Sequence, residues 1–390
     1  MSYLLSISSI TDRYDAVAFY IADRQLHNFN HQNPISILMA LFSAPPQSLC
    51  ILRLSAIGDV CNAIAAVQAI RQQWPKTQLT WIAGKAEAAL LTPLLPDVTV
   101  IAFDKKQGFK GMQAVWKALK GQRFDALLHM QSAIRASMLS VGIKAKYKLG
   151  FDKARASDLQ QWFTNVKVPS PASPHVLDGF MAFTEALGLK PQVPTWTLPL
   201  SESDIAWAKG QLSTKPALVV APAASKAFKN WTAEGYAGVI EHALDKGFNV
   251  ILAGGPGKIE VELGQAIENR LTRPVTNLIG KTTLLQLLAL EQEADLVLAP
   301  DSGPAHLANA VNTPVIGLYA HHNPARTGPY NWRHYVVSVY AEAIEAETGK
   351  SANEVSWRTR VKDDTAMQRI TIDEVISRFD EVIQKEEIGS

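Results

Sequence analysis

Four short stretches carry side chains whose types and spacing could do chemistry. The first, Leu52-Arg53-Leu54-Ser55-Ala56-Ile57-Gly58-Asp59, ends a run of small residues in a carboxylate. A carboxylate so placed can accept a proton from a hydroxyl, or can simply cap a helix. In Asp301-Ser302-Gly303-Pro304-Ala305-His306, Asp301 or Ser302 can cap and Pro304 suits a first helical turn. Backbone amides exposed there form an anion site with His306 one turn in, although an imidazole on an amphipathic helix serves equally as packing. Pro222 to Trp231 offers the Ser225 hydroxyl and the Lys226 and Lys229 ammonium groups, suited to phosphate oxygens or to a solvated basic loop. Gly254-Gly255-Pro256-Gly257-Lys258-Ile259-Glu260 precedes Glu262. These two carboxylates can take ribose or sugar hydroxyls, or stand at an exposed helix start. The glycines do not form the G-x-G-x-x-G fingerprint, so a nicotinamide-dependent dehydrogenase is disfavoured, and no Walker sequence occurs.

The elements around these residues repeat one grammar. Cys50 to Leu54 reads as a buried strand in which Arg53 needs a partner or the strand end. Val60, Ile64, Val67, Ile70 and Trp74 then recur at helical spacing. Leu296 to Ala299 and Leu307 to Val311 repeat that strand, turn and helix, and ligands gather beyond the carboxyl ends of such strands. At the first turn of its helix Asp59 meets a dipole that favours its ionised form. Strands 79–83, 98–103, 125–129 and 147–150 alternate with helices 86–95, 111–120 and 133–139, and a helix follows over 175–187. Lys190 to Pro199 is a proline-rich linker. Beyond it strands 217–221, 249–253, 296–299 and 315–319 alternate with helices 233–246, 259–269, 284–289 and 305–310. An amphipathic helix, Ile372 to Lys385, lies past a poorly patterned stretch over 342–365. The fold class is α/β, with two doubly wound domains facing a cleft.

Composition narrows the function. At 390 residues and 47% hydrophobic content the chain can bury two cores. Its net charge of +2 is uninformative, but 104–155 holds twelve Lys or Arg against three acidic residues. That zone suggests an acidic acceptor or an anionic lipid surface; without an aromatic platform or a nucleic-acid motif, nucleic acid is not expected. Two cysteines, Cys50 and Cys61, make no disulfide framework and favour a reducing, cytoplasmic compartment. No run of about 18 apolar residues is present to span a membrane. Asp12, Arg13 and Asp15 interrupt any signal-like core. His321-His322 stands apart from any carboxylate in sequence, so no metal is expected. Residues 1–46 lack clear periodicity, and the first 38 read as an over-extended frame or a mobile arm, with Met39 an alternative start.

Taken together, Leu54 to Asp59, the Ser225/Lys229 loop and Asp301 to His306 resemble the family 9 glycosyltransferases, the ADP-heptose:lipopolysaccharide heptosyltransferases. His129-Met130-Gln131-Ser132-Ala133-Ile134-Arg135 and Leu149-Gly150-Phe151-Asp152 resemble the acceptor-domain segments of enzymes that add the first heptose to Kdo. The resemblance implies a GT-B fold divided into an extension (1–46), an acceptor-binding domain (47–190), a linker (191–200), a donor-binding domain (201–345) and a C-terminal segment (346–390). The helix of that last segment is expected to cross back to the first domain. It also implies inverting transfer of heptose from ADP-heptose, a co-substrate rather than a cofactor, to a hydroxyl of Kdo-lipid A at the cytoplasmic face of the inner membrane. Asp59 is then the general base. The donor is expected against Ser225, Lys229, Glu260, Glu262, Asp301, Ser302, Gly303 and His306. The acceptor is expected against Ser55, Gly58, Gln131, Arg135, Lys144 and Lys146. Another GT-B transferase, a sugar-nucleotide epimerase and a non-catalytic relative are the competing readings.

Overall fold

The computed structural model describes residues 35–36, 40–212 and 214–389. The expected alternative start at Met39, and nearly all of the stretch read as an arm, lie outside them. Two wholly parallel sheets organise the rest. The first contains β1 (Ile35–Ser36), β2 (Ser48–Leu52), β3 (Gln78–Gly84), β4 (Val98–Phe103), β5 (Phe124–His129), β6 (Ala145–Phe151) and β7 (Val166–Val168), in the order β1-β7-β6-β5-β2-β3-β4. The second contains β8 (Ala217–Val220), β9 (Asn249–Leu252), β10 (Thr276–Asn277), β11 (Leu296–Pro300), β12 (Val315–Tyr319) and β13 (Val337–Ser338), in the order β10-β9-β8-β11-β12-β13. Helices cover both faces, so β2 and β8 read as nearly unbroken apolar runs.

From β2 onward the first sheet has the doubly wound order 3-2-1-4-5-6, and the second sheet repeats it. Strand order therefore reverses between β2 and β5 and again between β8 and β11. A crevice opens beyond the carboxyl ends at each reversal, because successive connections leave in opposite directions. Helix α1 (Ile57–Gln73) starts at the first reversal. The loop after β8 and the turn after β11 sit at the second.

The remaining helices in chain order are α2 (Lys85–Leu94), α3 (Gly108–Ala118), α4 (Ile134–Val141), α5 (Val176–Leu187), α6 (Glu202–Gln211), α7 (Ala233–Asp245), α8 (Lys258–Glu268), α9 (Leu284–Glu293), α10 (Gly303–Ala310), α11 (Pro324–Thr327), α12 (Tyr340–Thr348) and α13 (Ile372–Lys385). Short β7, β10 and β13 carry too few residues for a periodic signal, and α6 buries little beyond Ala208. Helix α12 occupies part of the stretch read as poorly patterned.

The linker is held down along its length. Gln68 of α1 donates to Thr197 O (2.6 Å) and accepts from Thr197 N (2.9 Å), while Gln73 pairs the same way with Lys190 (2.8 and 2.9 Å). Each amide side chain thus supplies the partners that an extended, strand-like backbone lacks.

One expectation is corrected here. Helix α13 does not cross back to the first domain. Its Val375, Phe379 and Val382, spaced as one helical stripe, are buried in the second domain's core, with the Phe379 and Phe248 rings 5.0 Å apart. His242 on α7 lies 2.9 Å from Asp380. The apolar stripe follows the nearest uncovered apolar face. The return to the first domain is made by Arg358 instead, which donates to the carbonyls of Arg155 and Ala156.

Candidate active site

In the front lobe, Arg53 leaves the end of β2 and finds two partners. One terminal nitrogen donates to Met130 O at 2.8 Å and the other pairs with the Asp59 carboxylate, while the guanidinium lies 5.3 Å from the Phe180 ring centre. Asp59 is not the cap of α1, whose N-cap is Ala56 without a side-chain bond. Its carboxylate is half-exposed, turned back toward the strand end and oriented by Arg53. Gln131 beyond β5 accepts from the amides of Leu54 (2.6 Å) and Ser55 (3.3 Å), so the strand next to β2 shapes the turn that carries Asp59.

In the rear lobe, Lys229 lies 2.6 Å from Asp301 Oδ2 and donates to Asp301 O at 3.0 Å; His322 Nδ1 lies 2.5 Å from the same Oδ2. Burial would raise the Asp301 carboxyl, but the His322 hydrogen bond and the Lys229 charge hold it well below the usual carboxylate range. This turn carries Ser302, whose buried hydroxyl finds no partner among the described residues, and neither does Nδ1 of His306. Burial pushes the His306 imidazole down toward its neutral form, against the pull of Asp301 and Asp59 and with a push from Lys229. Unpaired buried donors cost free energy, so a ligand that pairs them binds with that cost removed.

The two lobes meet at His306. A Cβ on Gly58 would stand 2.3 Å from His306 Cδ2, so only glycine lets α1 and α10 approach this closely. Gly303 makes the reciprocal contact, where a Cβ would lie 3.3 Å from Ile57. Around one imidazole the fold therefore gathers Asp59 from the first domain and Asp301 with Lys229 from the second, and His306 feels both carboxylates.

The other expected residues divide. Ser225 is exposed on the loop after β8, at the same rim as Lys229. Glu260 turns back to accept from the Gly255 amide, packed where Cβ atoms on Gly254 and Gly255 would crowd its carboxylate, and so shapes the glycine-rich turn. Glu262, 64% exposed, makes a 3.6 Å surface pair with Lys258 and is not brought to the cleft. Arg135 is exposed in the first turn of α4, on the front lobe's carboxyl rim. Lys144 and Lys146 are a correction. Lys144 precedes β6 and Lys146 is its second residue, so at about 3.3 Å per residue Lys146 stands roughly 17 Å from the carboxyl end of that strand. They face away from the crevice. Ser55, Gly58 and Gln131 shape the turn and the domain contact.

Sequence reasoning missed His322, because its partner Asp301 lies 21 residues away. It also missed Arg326 and Trp357, which belong to stretches without periodicity. Among the described residues no group of three or more His, Cys, Asp or Glu could hold a metal ion.

Twin 3-2-1-4-5-6 sheets with facing rims define a GT-B fold. The glycosyltransferase family 9 (heptosyltransferase) model matches residues 112–357. The lipopolysaccharide core heptosyltransferase OpsX of Haemophilus influenzae is 48% identical over 342 residues, covering 87% of this chain and 98% of the relative. A family 9 glycosyltransferase of Veillonella parvula superposes with a TM-score of 0.71 at 19% identity, covering 89% of this chain and 99% of that one. The Escherichia coli heptosyltransferase WaaC with ADP gives 0.64 at 20% identity, covering 86% and 99%. The chain belongs to glycosyltransferase family 9, and it is a heptosyltransferase of lipopolysaccharide core biosynthesis.

The Gly58 contact yields a direct test. Gly58→Ala forces a methyl group against His306 and is expected to cost about 1–3 kcal/mol of stability, the usual penalty of overpacking. Urea unfolding measures it, and an unchanged midpoint would contradict the close approach of α1 and α10.

Proposed function

We propose that the chain transfers heptose from ADP-heptose to a hydroxyl of the Kdo inner core, with inversion at the anomeric carbon and without a metal. The carrying observation is His306, packed on Gly58 and electrostatically within reach of both Asp59 and Asp301. That arrangement supports a base on one side of the reacting carbon and a diphosphate on the other, the geometry of a single displacement. A relative solved with ADP supports an adenine nucleotide as part of the donor.

A sugar hydroxyl is a weak nucleophile, so its proton must leave as the new bond forms. Asp59 takes it, with Arg53 holding the carboxylate in position. Charge grows on the departing diphosphate. The Lys229 ammonium, the Ser302 hydroxyl and the first amides of α10 meet it there, in a site already charged and oriented before substrate arrives. His306, neutral through burial, can offer a hydrogen bond to the same oxygens without adding a second full charge.

The front lobe's rim also suits an acceptor carried in a membrane. Helices α3 and α4 pack on one face of the first sheet and both begin at this rim, exposing Phe109 (49%) and Ile134 (43%). The loop after β6 exposes Leu159 (55%) and Trp162 (73%), although Gln160 between them is buried and bonded to His129 O at 2.7 Å. Exposed Lys105, Lys106, Lys110, Arg135 and Lys153 accompany them. Apolar tips among cations fit the interface of an anionic leaflet, and contact there is peripheral: no helix among the described residues is long and apolar enough to cross a membrane.

Two measurements test the reading. With ADP-heptose and a Kdo-bearing acceptor, Asp59→Asn is expected to bind ADP normally but lose about two to four orders of magnitude in turnover. Near-normal turnover would remove Asp59 from the role of base. The double variant Leu159→Ser, Trp162→Ser is expected to sediment with phosphatidylglycerol-containing vesicles about tenfold less than wild type, given the apolar surface removed. Equal sedimentation would place the membrane contact elsewhere.

A further inference from the structure

Arg326 leaves α11, just beyond the His321-His322 loop. Its guanidinium carbon lies 5.5 Å from the centre of the Trp357 ring, and those of Arg155 and Arg358 lie 5.1 Å from the same ring. Two of these arginines are committed. Arg155 donates to the carbonyls of His175 (3.2 Å) and Ser173 (2.5 Å), and Arg358 donates to those of Arg155 and Ala156. Together they fasten the C-terminal segment onto the front lobe and fix the indole in place.

Arg326 is different. Its buried Nε has no acceptor, and no carboxylate lies within ion-pair distance of it among the described residues. Burial lowers its proton affinity and Arg360 and Arg358 push the same way, while Asp59 and Asp301 act against them. Four residues before it, His322 bonds the Asp301 carboxylate of the phosphate turn, so the same segment carries Arg326 to the site, where the Asp59 and Asp301 charges both reach it. A guanidinium beside an aromatic ring, near other cations and without a counter-ion, has its donor fork free for a planar or tetrahedral oxyanion.

We propose that Arg326, seated on Trp357, binds an oxyanion of the acceptor sugar, a carboxylate or a phosphate, and so brings the attacking hydroxyl to Asp59. This rests on the reading of the front lobe as the acceptor side. The donor diphosphate has its own cation in Lys229, whereas the Arg326 platform is tied by Arg155 and Arg358 to the front lobe. The fork sets which acceptors are used: a neutral sugar leaves the guanidinium unpaired and is bound weakly.

Steady-state kinetics of the full-length chain test the assignment, with ADP-heptose and three acceptors: one with carboxylate and phosphate, one dephosphorylated and one carboxyl-reduced. Arg326→Gln is expected to raise the KM of the doubly anionic acceptor by about 10- to 100-fold, the scale of a charged hydrogen bond. The KM of ADP-heptose and the thermal shift given by ADP are expected to stay within about twofold of wild type. Arg326→Lys, which keeps the charge but loses the fork, is expected to recover part of the loss and to show that the site still folds. If phosphate is the bound group, the penalty disappears with the dephosphorylated acceptor; if carboxylate is, it disappears with the carboxyl-reduced one. An unchanged acceptor KM, or a loss that falls on ADP-heptose instead, overturns the proposal. Failure of wild type to transfer heptose to any of the three would overturn the functional reading itself.

Discussion

The contact of Gly58 with His306 is the constraint on which the rest of the site depends. Two helices that begin at the carboxyl ends of different sheets meet there, each setting a glycine against a side chain of the other: Gly58 on His306 and Gly303 on Ile57. Were the lobes a few ångströms further apart, Asp59 and Asp301 would belong to separate clefts and no single reacting group could meet both. The docked linker and the Trp196 indole, which donates to Cys61 O at 2.8 Å, reinforce the same approach.

Electrostatics divides the labour between lobes. In the rear lobe Lys229 and His322 share one carboxylate oxygen of Asp301. A buried ion pair usually contributes little net stability over apolar packing, whereas removing one partner costs about 3–5 kcal/mol. Such a trio is therefore poorly explained as a fold-stabilising device and well explained as a fixed charge pattern. The front lobe holds a half-exposed carboxylate on one guanidinium. On the proposed function, one site meets the anion and the other accepts the proton.

Both strand–turn–helix units were legible in the sequence because each pairs an apolar run with small residues and a helical period. The same grammar singles out Asp59, Asp301 and His306, and the loop after β8 adds Lys229. Charge counting failed where direction mattered: Lys144 and Lys146 belong to the basic zone by composition but to the wrong end of β6, and Lys148 turns inward to donate to Ser140 O at 2.7 Å. The destination of α13 was illegible because an amphipathic stripe specifies that a helix packs, not which lobe receives it. Arg326 and Trp357 left no trace in the sequence, since their pairing crosses segments with no periodic pattern and comes about only by folding.

The central claim, a front-lobe carboxylate facing a rear-lobe diphosphate cradle, is tested most directly by a crystal structure of this chain with ADP. The account predicts the terminal phosphate within hydrogen-bonding distance of Lys229 Nζ and Ser302 Oγ, with Asp59 opposite it across the space beside His306. ADP bound away from the Asp301 turn, or Asp59 turned from the phosphate, would contradict it.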